Sequence, residues 1–146
     1  MSEIVFQGTS ALALDAKGRL TVPVRQRDLL MQACEGRLTL TKHPEGYLWM
    51  LPRPRWETTR ERLLGMSMEA DAWRRVFIGS AVDVEIDAAA RILVPPELRR
   101  YAGLSKDVLL IGNGRVLELW DAASHAATEA RLLSQPMPAE ILGLVL

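Results

Sequence analysis

The order of apolar and polar residues along the chain predicts the same set of short strands and helices twice. In the first half, the pattern predicts strands at 11–14 and 20–22, a helix over 24–33, a hairpin of strands at 37–41 and 47–51, and a helix over 54–64. In the second half, the pattern predicts strands at 81–86 and 91–94, a helix over 96–102, strands at 108–111 and 116–120, and a helix from the N-cap Asp121 to about residue 133. An amphipathic helix with Trp73, Val76 and Phe77 on its apolar side is predicted between the halves, over 69–78.

An internal repeat accounts for this doubled order. The segment Asp15-Ala-Lys-Gly-Arg19-Leu-Thr-Val-Pro23 aligns, 72 residues later, with Asp87-Ala-Ala-Ala-Arg91-Ile-Leu-Val-Pro95. Farther along, the offset becomes 69 and pairs Arg62-Leu-Leu64 with Arg131-Leu-Leu133. A unit of about 70 residues buries only a limited core by itself. We therefore expect a pseudo-twofold body in which strands of one copy complete the sheet of the other.

The repeat also sets the expected boundaries along the chain. The first repeat with its following helix spans 6–66, a connecting helix spans 67–80, and the second repeat with its helix spans 81–134. Residues 135–146 form an apolar C-terminal tail that should pack on something. The tail and the four tryptophans offer more apolar surface than so small a body hides, so we expect part of it to enter subunit contacts.

Composition narrows the class of protein. The 146 residues include 18 Lys+Arg and 18 Asp+Glu, so the formal net charge is zero. No segment approaches the roughly 20 apolar residues that span a bilayer, and the N-terminus lacks the pattern of an export signal. The single cysteine, Cys34, excludes an intrachain disulfide and fits a reducing cytoplasm. We expect no membrane partner.

A net charge of zero argues against a nucleic-acid partner, but the basic residues are not spread evenly along the chain. Between Asp15 and Lys42, six basic residues meet three acids. Arg19 offers a rigid fork of donors that suits guanine or phosphate, and Lys17 lies two residues away in the same turn. Asp15 either accepts hydrogen bonds from the amides of this turn or holds an arginine in position, and Gly18 supplies a positive φ.

The two Asp-x-x-x-Arg turns, each followed by an apolar strand and proline, carry a resemblance to a known family. With Phe6-Gln-Gly8, the run from Leu98 to Leu104, and Leu117-Glu-Leu-Trp120-Asp121, they resemble the MraZ family from about residue 6 to 133. The resemblance implies an α+β fold of two tandem AbrB-like swapped-hairpin β-barrel units, joined in one pseudo-twofold body with short flanking helices. It further implies a closed homo-oligomeric ring that binds short direct repeats of double-stranded DNA in its own promoter. The expected role is a repressor of the bacterial division and cell-wall gene cluster, in the cytoplasm and on the nucleoid.

The resemblance also implies which residues bind DNA. Lys17 and Arg19 match the contacting turn, Arg91 is the counterpart of Arg19, and Arg25 on the next helix completes the candidates. The second turn departs from the family pattern, because Ala90 stands in the place of glycine and Ala89 in the place of Lys17. We therefore expect the turn from Asp87 to Arg91 to be mainly structural, and DNA contact to come mainly from the first copy.

Other functions are weighed against this one. Catalytic motifs are absent, Cys34 is the only thiol, and the two histidines, His43 and His125, are expected at surface positions rather than as ligands. We therefore expect no enzyme, no cofactor and no small-molecule substrate. Asp83, Glu85 and Asp87 share a strand face that could bind a hard cation, although three exposed carboxylates are the simpler interpretation. An AbrB-like antitoxin and a structural ring without DNA specificity remain as alternatives.

Overall fold

A computed structural model describes residues 4–146, and its helices and strands follow the repeat. The first copy contains β1 (Thr9–Ala13), β2 (Arg19–Thr21), α1 (Val24–Cys34), β3 (Arg37–Lys42), β4 (Leu48–Pro52) and α2 (Arg53–Leu64). A short 3-10 turn (Met68–Ala70) and α3 (Asp71–Gly79) connect the copies. The second copy contains β5 (Val82–Glu85), β6 (Arg91–Leu93), α4 (Pro96–Tyr101), β7 (Asp107–Asn113), β8 (Val116–Asp121), α5 (Ala122–Leu133) and α6 (Ala139–Val145). The α+β prediction is confirmed.

The two copies exchange strands, as the sequence predicts. Six strands form one antiparallel sheet in the order β1-β7-β8-β4-β3-β5, and β2 pairs with β6 in a second, two-stranded sheet. The first strand of copy one therefore lies beside copy two, on β7, and the first strand of copy two lies beside copy one, on β3. Central pairing of β4 with β8 joins the two halves. Neither copy has a complete sheet without the other.

The main core lies between the six-stranded sheet and the two-stranded sheet. Leu20 and Ile92, in the middle of β2 and β6, point inward with Leu30 of α1 and Leu98 of α4. These four side chains meet the inner face of the large sheet, where the buried residues include Leu38, Leu40, Met50, Leu110, Leu117 and Leu119. Burial of this apolar surface holds the short elements of the two copies in one body.

A second layer covers the outer face of the large sheet. Leu51, Trp56 and Leu63 form a smaller buried cluster under α2, and Phe77 and Ile78 of α3 pack against it. On the other half, the carboxylate of Asp121 caps α5 by accepting from Ser124 N at 3.1 Å, which confirms the predicted N-cap. The two-stranded sheet and the helices of the outer layer therefore lie on opposite sides of the large sheet.

The C-terminal tail forms the helix α6 over residues 139–145, and every residue of this helix is exposed. The described chain does not bury the tail, so the expectation that it packs on something stays a prediction. Trp56 and Trp120 are buried and Trp49 is half-buried, which leaves Trp73 as the exposed tryptophan. No helix among residues 4–146 is long and apolar enough to cross a membrane.

Candidate nucleic-acid interface

The turn between β1 and β2 is held by the carboxylate of Asp15. Its Oδ1 accepts hydrogen bonds from the backbone amides of Lys17 at 2.9 Å and Arg19 at 2.8 Å, and its Oδ2 accepts from Arg19 Nε at 2.7 Å. Both interpretations of Asp15 therefore hold at once, because the same carboxylate fixes the backbone and orients the guanidinium. Gly18 completes the turn at φ +82°, in the left-handed region.

This bonding lowers the pKa of Asp15 to about 2, and the hydrogen bond from the Arg19 amide is its largest cause. The second turn repeats the arrangement, because Asp87 accepts from the amides of Ala89 and Arg91, both at 2.9 Å. Those bonds also lower the pKa of Asp87, led again by the arginine amide. Arg91 Nε lies 3.5 Å from the carboxylate, so the second ion pair is looser than the first.

The exposed face of the β2–β6 ladder brings Arg19 and Arg91 together. Arg19 is opposite Leu93 and Thr21 is opposite Arg91, so these four side chains share the face that points away from the core. Diagonal neighbours in an antiparallel pair lie about 7–8 Å apart. Arg19 and Arg91 are such a pair, which makes the arginine of the second copy part of the surface beside the first turn.

Two further basic residues of the second copy lie beside the first turn, Arg99 through its guanidinium and Lys106 through its backbone, and the sequence analysis missed both as site residues. The Arg99 guanidinium donates to Val94 O at 2.9 Å and lies against Gly18, where an added Cβ would be 2.6 Å from its Cζ. Lys106 is exposed, and its carbonyl accepts from the Leu14 amide at 2.8 Å, one residue before Asp15. Only the strand exchange brings these residues to the turn, so the local sequence carries no signal for them.

Arg25 lies apart from this surface. Its guanidinium donates to Gln7 O at 2.8 Å and packs over Gly8, before the start of β1. The turn of Lys17 and Arg19 follows the other end of β1, and five residues of strand extend over roughly 17 Å. Arg25 therefore holds the N-terminal segment in place, while Lys17 Nζ has no hydrogen bond or ion pair within residues 4–146.

The remaining candidates have structural surroundings. His43 stacks on Tyr47 with ring centroids 4.2 Å apart, and His125 packs edge-on against Trp120, so both histidines are half-buried among aromatic rings. Cys34 is buried and donates to Leu30 O. Within the described part of the chain, no three His, Cys, Asp or Glu side chains form a group that could hold a metal ion.

The depressed pKa of Asp15 predicts how stability responds to acid. A carboxyl group with a folded-state pKa near 2 stabilises the fold above its unfolded pKa of about 4, and this contribution disappears as the pH falls towards 2. We expect Asp15→Asn to lower the unfolding temperature at neutral pH, with the difference from wild type shrinking between about pH 4 and pH 2. Thermal unfolding followed by circular dichroism across this range checks it, and a difference that stays constant into acid would contradict it.

The fold is a tandem α+β repeat in which the two copies exchange strands. Each copy has a hairpin turn held by an aspartate carboxylate, and both turns lie beside the β2–β6 ladder, which carries one arginine from each copy. These features together define a class of protein. The sequence model of the family described as "MraZ protein, putative antitoxin-like" matches residues 5–76 and again 77–140. The chain belongs to the MraZ family.

Similar proteins named "Transcriptional regulator MraZ" cover nearly the whole chain. The protein from Methylibium petroleiphilum is 57% identical over 143 residues, which is 98% of this chain and 97% of the relative. The protein from Leptothrix cholodnii is 58% identical over 138 residues, 94% of each chain. The relative from Cupriavidus taiwanensis is 54% identical over 134 residues, which is 92% of this chain and 94% of that protein.

Proposed function

We propose that this protein is a DNA-binding transcriptional regulator whose contact surface is the first turn and the exposed face of the β2–β6 ladder. The observation that carries the proposal is the fixed presentation of Lys17 and Arg19 by the Asp15 carboxylate. A pre-shaped turn loses little conformational entropy on binding, and its lysine projects into solvent with no competing partner among the described residues.

Charge at this surface supports DNA as the partner. Lys17 and Arg19 come from the first copy, and Arg91, Arg99 and Lys106 come from the second. The exposed acids Asp15 and Asp87 accept hydrogen bonds from their own turns, and each carboxylate faces the arginine of its turn. A further exposed acid, Asp107, pairs with Ala13 just before the first turn and offsets part of the positive charge. A locally positive surface on a protein of zero net charge favours phosphate contact at one place and little non-specific attraction elsewhere.

One turn of this size binds DNA weakly, so the proposal includes assembly. Copies joined in a closed ring present several turns together, and linked weak contacts strengthen one another through effective concentration. The matching DNA consists of short direct repeats at regular spacing. Following the family resemblance, the proposed target is the protein's own promoter, ahead of the division and cell-wall gene cluster, with repression as the outcome on the nucleoid in the cytoplasm.

Two alternatives lead to different measurements. An antitoxin would bind a partner protein, and the family description includes the word antitoxin-like. A structural ring would assemble without preferring any DNA sequence. A chain that spends its second half on another folded copy, rather than on a disordered toxin-binding tail, favours the regulator.

Lys17→Ala tests the DNA contact with little risk to the fold, because the Lys17 side chain is exposed and unpaired within the described chain while its amide keeps the bond to Asp15. We expect weaker binding to repeat-containing promoter DNA. The slope of log affinity against log salt concentration should be shallower by about 0.9 for each phosphate that the variant no longer neutralises. Mobility-shift titrations at several salt concentrations measure both effects.

Arg55→Ala is the matched control, since Arg55 is an exposed cation on α2, in the helical layer on the opposite side of the large sheet. This variant should bind like wild type. If both variants lose the same affinity, the loss reflects the removal of any positive charge and not a contact at the first turn. If the wild-type protein binds repeat-containing and scrambled DNA equally well, the proposal of sequence-specific regulation is wrong.

A further inference from the structure

One apolar side chain lies among the polar and charged residues on the exposed face of the β2–β6 ladder. The face consists of Arg19 and Thr21 from the first copy and Arg91 and Leu93 from the second. Leu93 is 51% exposed, although the residue before it, Ile92, is buried in the core. The strand β6 therefore places a large apolar group in solvent beside two guanidinium groups.

The fold does not require a leucine at this position. The core contacts of the ladder come from its other side, through Leu20 and Ile92. At the repeat offset of 72, Leu93 matches Thr21, which is exposed on the same face and serves the first copy equally well as a strand residue. Single exposed leucines are common on protein surfaces. The location of Leu93 beside the proposed DNA contact, and not its exposure alone, indicates a role.

The register of the ladder brings Leu93 next to Arg19. The two residues lie directly opposite each other in the antiparallel pair. The Cβ atoms of opposite residues are about 4.5–5.5 Å apart, and successive bases of one DNA strand are about 3.4 Å apart. When the guanidinium of Arg19 contacts DNA, the side chain of Leu93 is therefore within one or two base steps of the same place.

The base edges of DNA offer one group that suits a leucine side chain. In the major groove, guanine presents the acceptors N7 and O6 to an arginine, and thymine presents its C5-methyl group to an apolar side chain. The minor groove presents only polar groups at the base edges. The major groove also admits a two-stranded β-ribbon, which is the form of the β2–β6 ladder.

We propose that Leu93 contacts the C5-methyl group of a thymine in the major groove, within one or two base steps of the group that Arg19 binds. The second copy then contributes to the readout of sequence, although its own turn has Ala89 in the place of Lys17. The inference rests on the proposed function, because it requires the ladder to face DNA. It names a base that the recognised repeat contains and the side chain that reads this base.

Deoxyuridine tests the contact because it differs from thymidine only by the missing C5-methyl group. Each thymine of a promoter repeat is replaced in turn, on either strand, and mobility-shift titration measures the dissociation constant. At the contacted thymine, we expect the wild-type protein to bind about fourfold more weakly, which corresponds to the loss of one buried methyl group. Leu93→Ala shortens the side chain and should bind the thymine and deoxyuridine DNAs almost equally.

Two further properties of the variants distinguish a methyl contact from a general loss of binding. Leu93→Met keeps a long apolar side chain, so it should restore the sensitivity to deoxyuridine. Leu93→Ala removes no charge, so the slope of log affinity against log salt concentration should equal that of wild type. The slope of Lys17→Ala, in contrast, should be shallower.

Leu132→Ala is the matched control, because Leu132 is 64% exposed but lies on α5, on the opposite side of the large sheet. It should show the full wild-type response to deoxyuridine, and all three leucine variants should keep the wild-type unfolding temperature.

The possible results separate this inference from the proposed function. If the wild-type protein binds repeat-containing DNA but responds to deoxyuridine at no thymine, the contact is wrong and the proposed function stands. If Leu93→Ala is as sensitive to deoxyuridine as wild type, the methyl group acts without Leu93 and the inference is again wrong. Wild-type protein that does not bind repeat-containing DNA would refute the proposed function and this inference together.

Discussion

Replacing Arg19 with alanine is expected to weaken binding to repeat-containing DNA by about 2–6 kcal/mol when two copies of the turn contact one DNA. A well-placed arginine contributes about 1–3 kcal/mol of base discrimination, and the contributions of two linked turns add. In the structure Asp15 binds Arg19 Nε, and the terminal nitrogens of Arg19 make no hydrogen bond within the described residues. These nitrogens are the part of the fork left for a base or a phosphate.

The turn should survive this substitution, which separates binding from folding. Two of the three hydrogen bonds to Asp15 come from backbone amides and do not require the Arg19 side chain. The variant is expected to keep its oligomeric mass, and mobility-shift titration with promoter DNA measures its affinity. Arg19→Lys keeps the charge but not the planar fork, so it should recover only the salt-dependent part of binding.

Arg91→Ala gives the internal comparison between the two copies. Arg91 occupies the same ladder face but follows a turn without lysine, and its Nε is buried without a hydrogen-bond partner among residues 4–146. We expect a smaller decrease in affinity than for Arg19→Ala. Full-strength binding by Arg19→Ala would refute the proposed contact surface, and a larger decrease from Arg91→Ala would move the main contact to the second copy.

Much of the fold follows from the sequence because the repeat is visible there. Hydrophobic periodicity identifies the strands and helices, and proline residues mark where α1, α2 and α4 begin. The small size of one repeat predicts strand exchange, which β1 on β7 and β5 on β3 confirm. The packing of the tail stays a prediction, because apolar content indicates burial but not which molecule provides the cover.

Only the part of the candidate site that is formed by residues close together in the sequence could be predicted. Asp15 and Arg19 are four positions apart, so a hydrogen-bonded turn can be inferred from their spacing alone. Arg99 and Lys106 reach the same turn only through pairing between copies, and no short-range pattern encodes that contact. The separation of Arg25 from the turn likewise depends on how α1 packs against the N-terminal segment.

Gly18→Ala is expected to destabilise the fold by about 1.5–3.5 kcal/mol. A left-handed backbone costs a residue with Cβ about 1–2 kcal/mol, and Gly18 has φ +82°. The new Cβ would also lie 2.6 Å from Cζ and Nε of Arg99, so the guanidinium must move and release its bond to Val94 O. Breaking a hydrogen bond of this kind adds about 0.5–1.5 kcal/mol. Urea unfolding of wild type and variant measures the sum.

Ala90 is the residue of the second turn that corresponds to Gly18, and it also has a left-handed backbone. It holds φ +64° with a buried methyl group, and Arg27, which matches Arg99 in the repeat, makes no side-chain hydrogen bond within the described chain. Ala90→Gly relieves backbone strain but removes that buried methyl, so its stability should stay within about 1 kcal/mol of wild type.

A double-mutant cycle separates the two causes of the Gly18→Ala destabilisation. If displacement of the guanidinium contributes, Gly18→Ala should cost about 0.5–1.5 kcal/mol less in an Arg99→Ala background, where no guanidinium is present. The backbone part of the cost should remain in that background. If Gly18→Ala destabilises the Arg99→Ala protein as much as the wild type, the whole effect comes from the left-handed backbone. The first turn would then require glycine because of its backbone conformation and not because of its contact with Arg99.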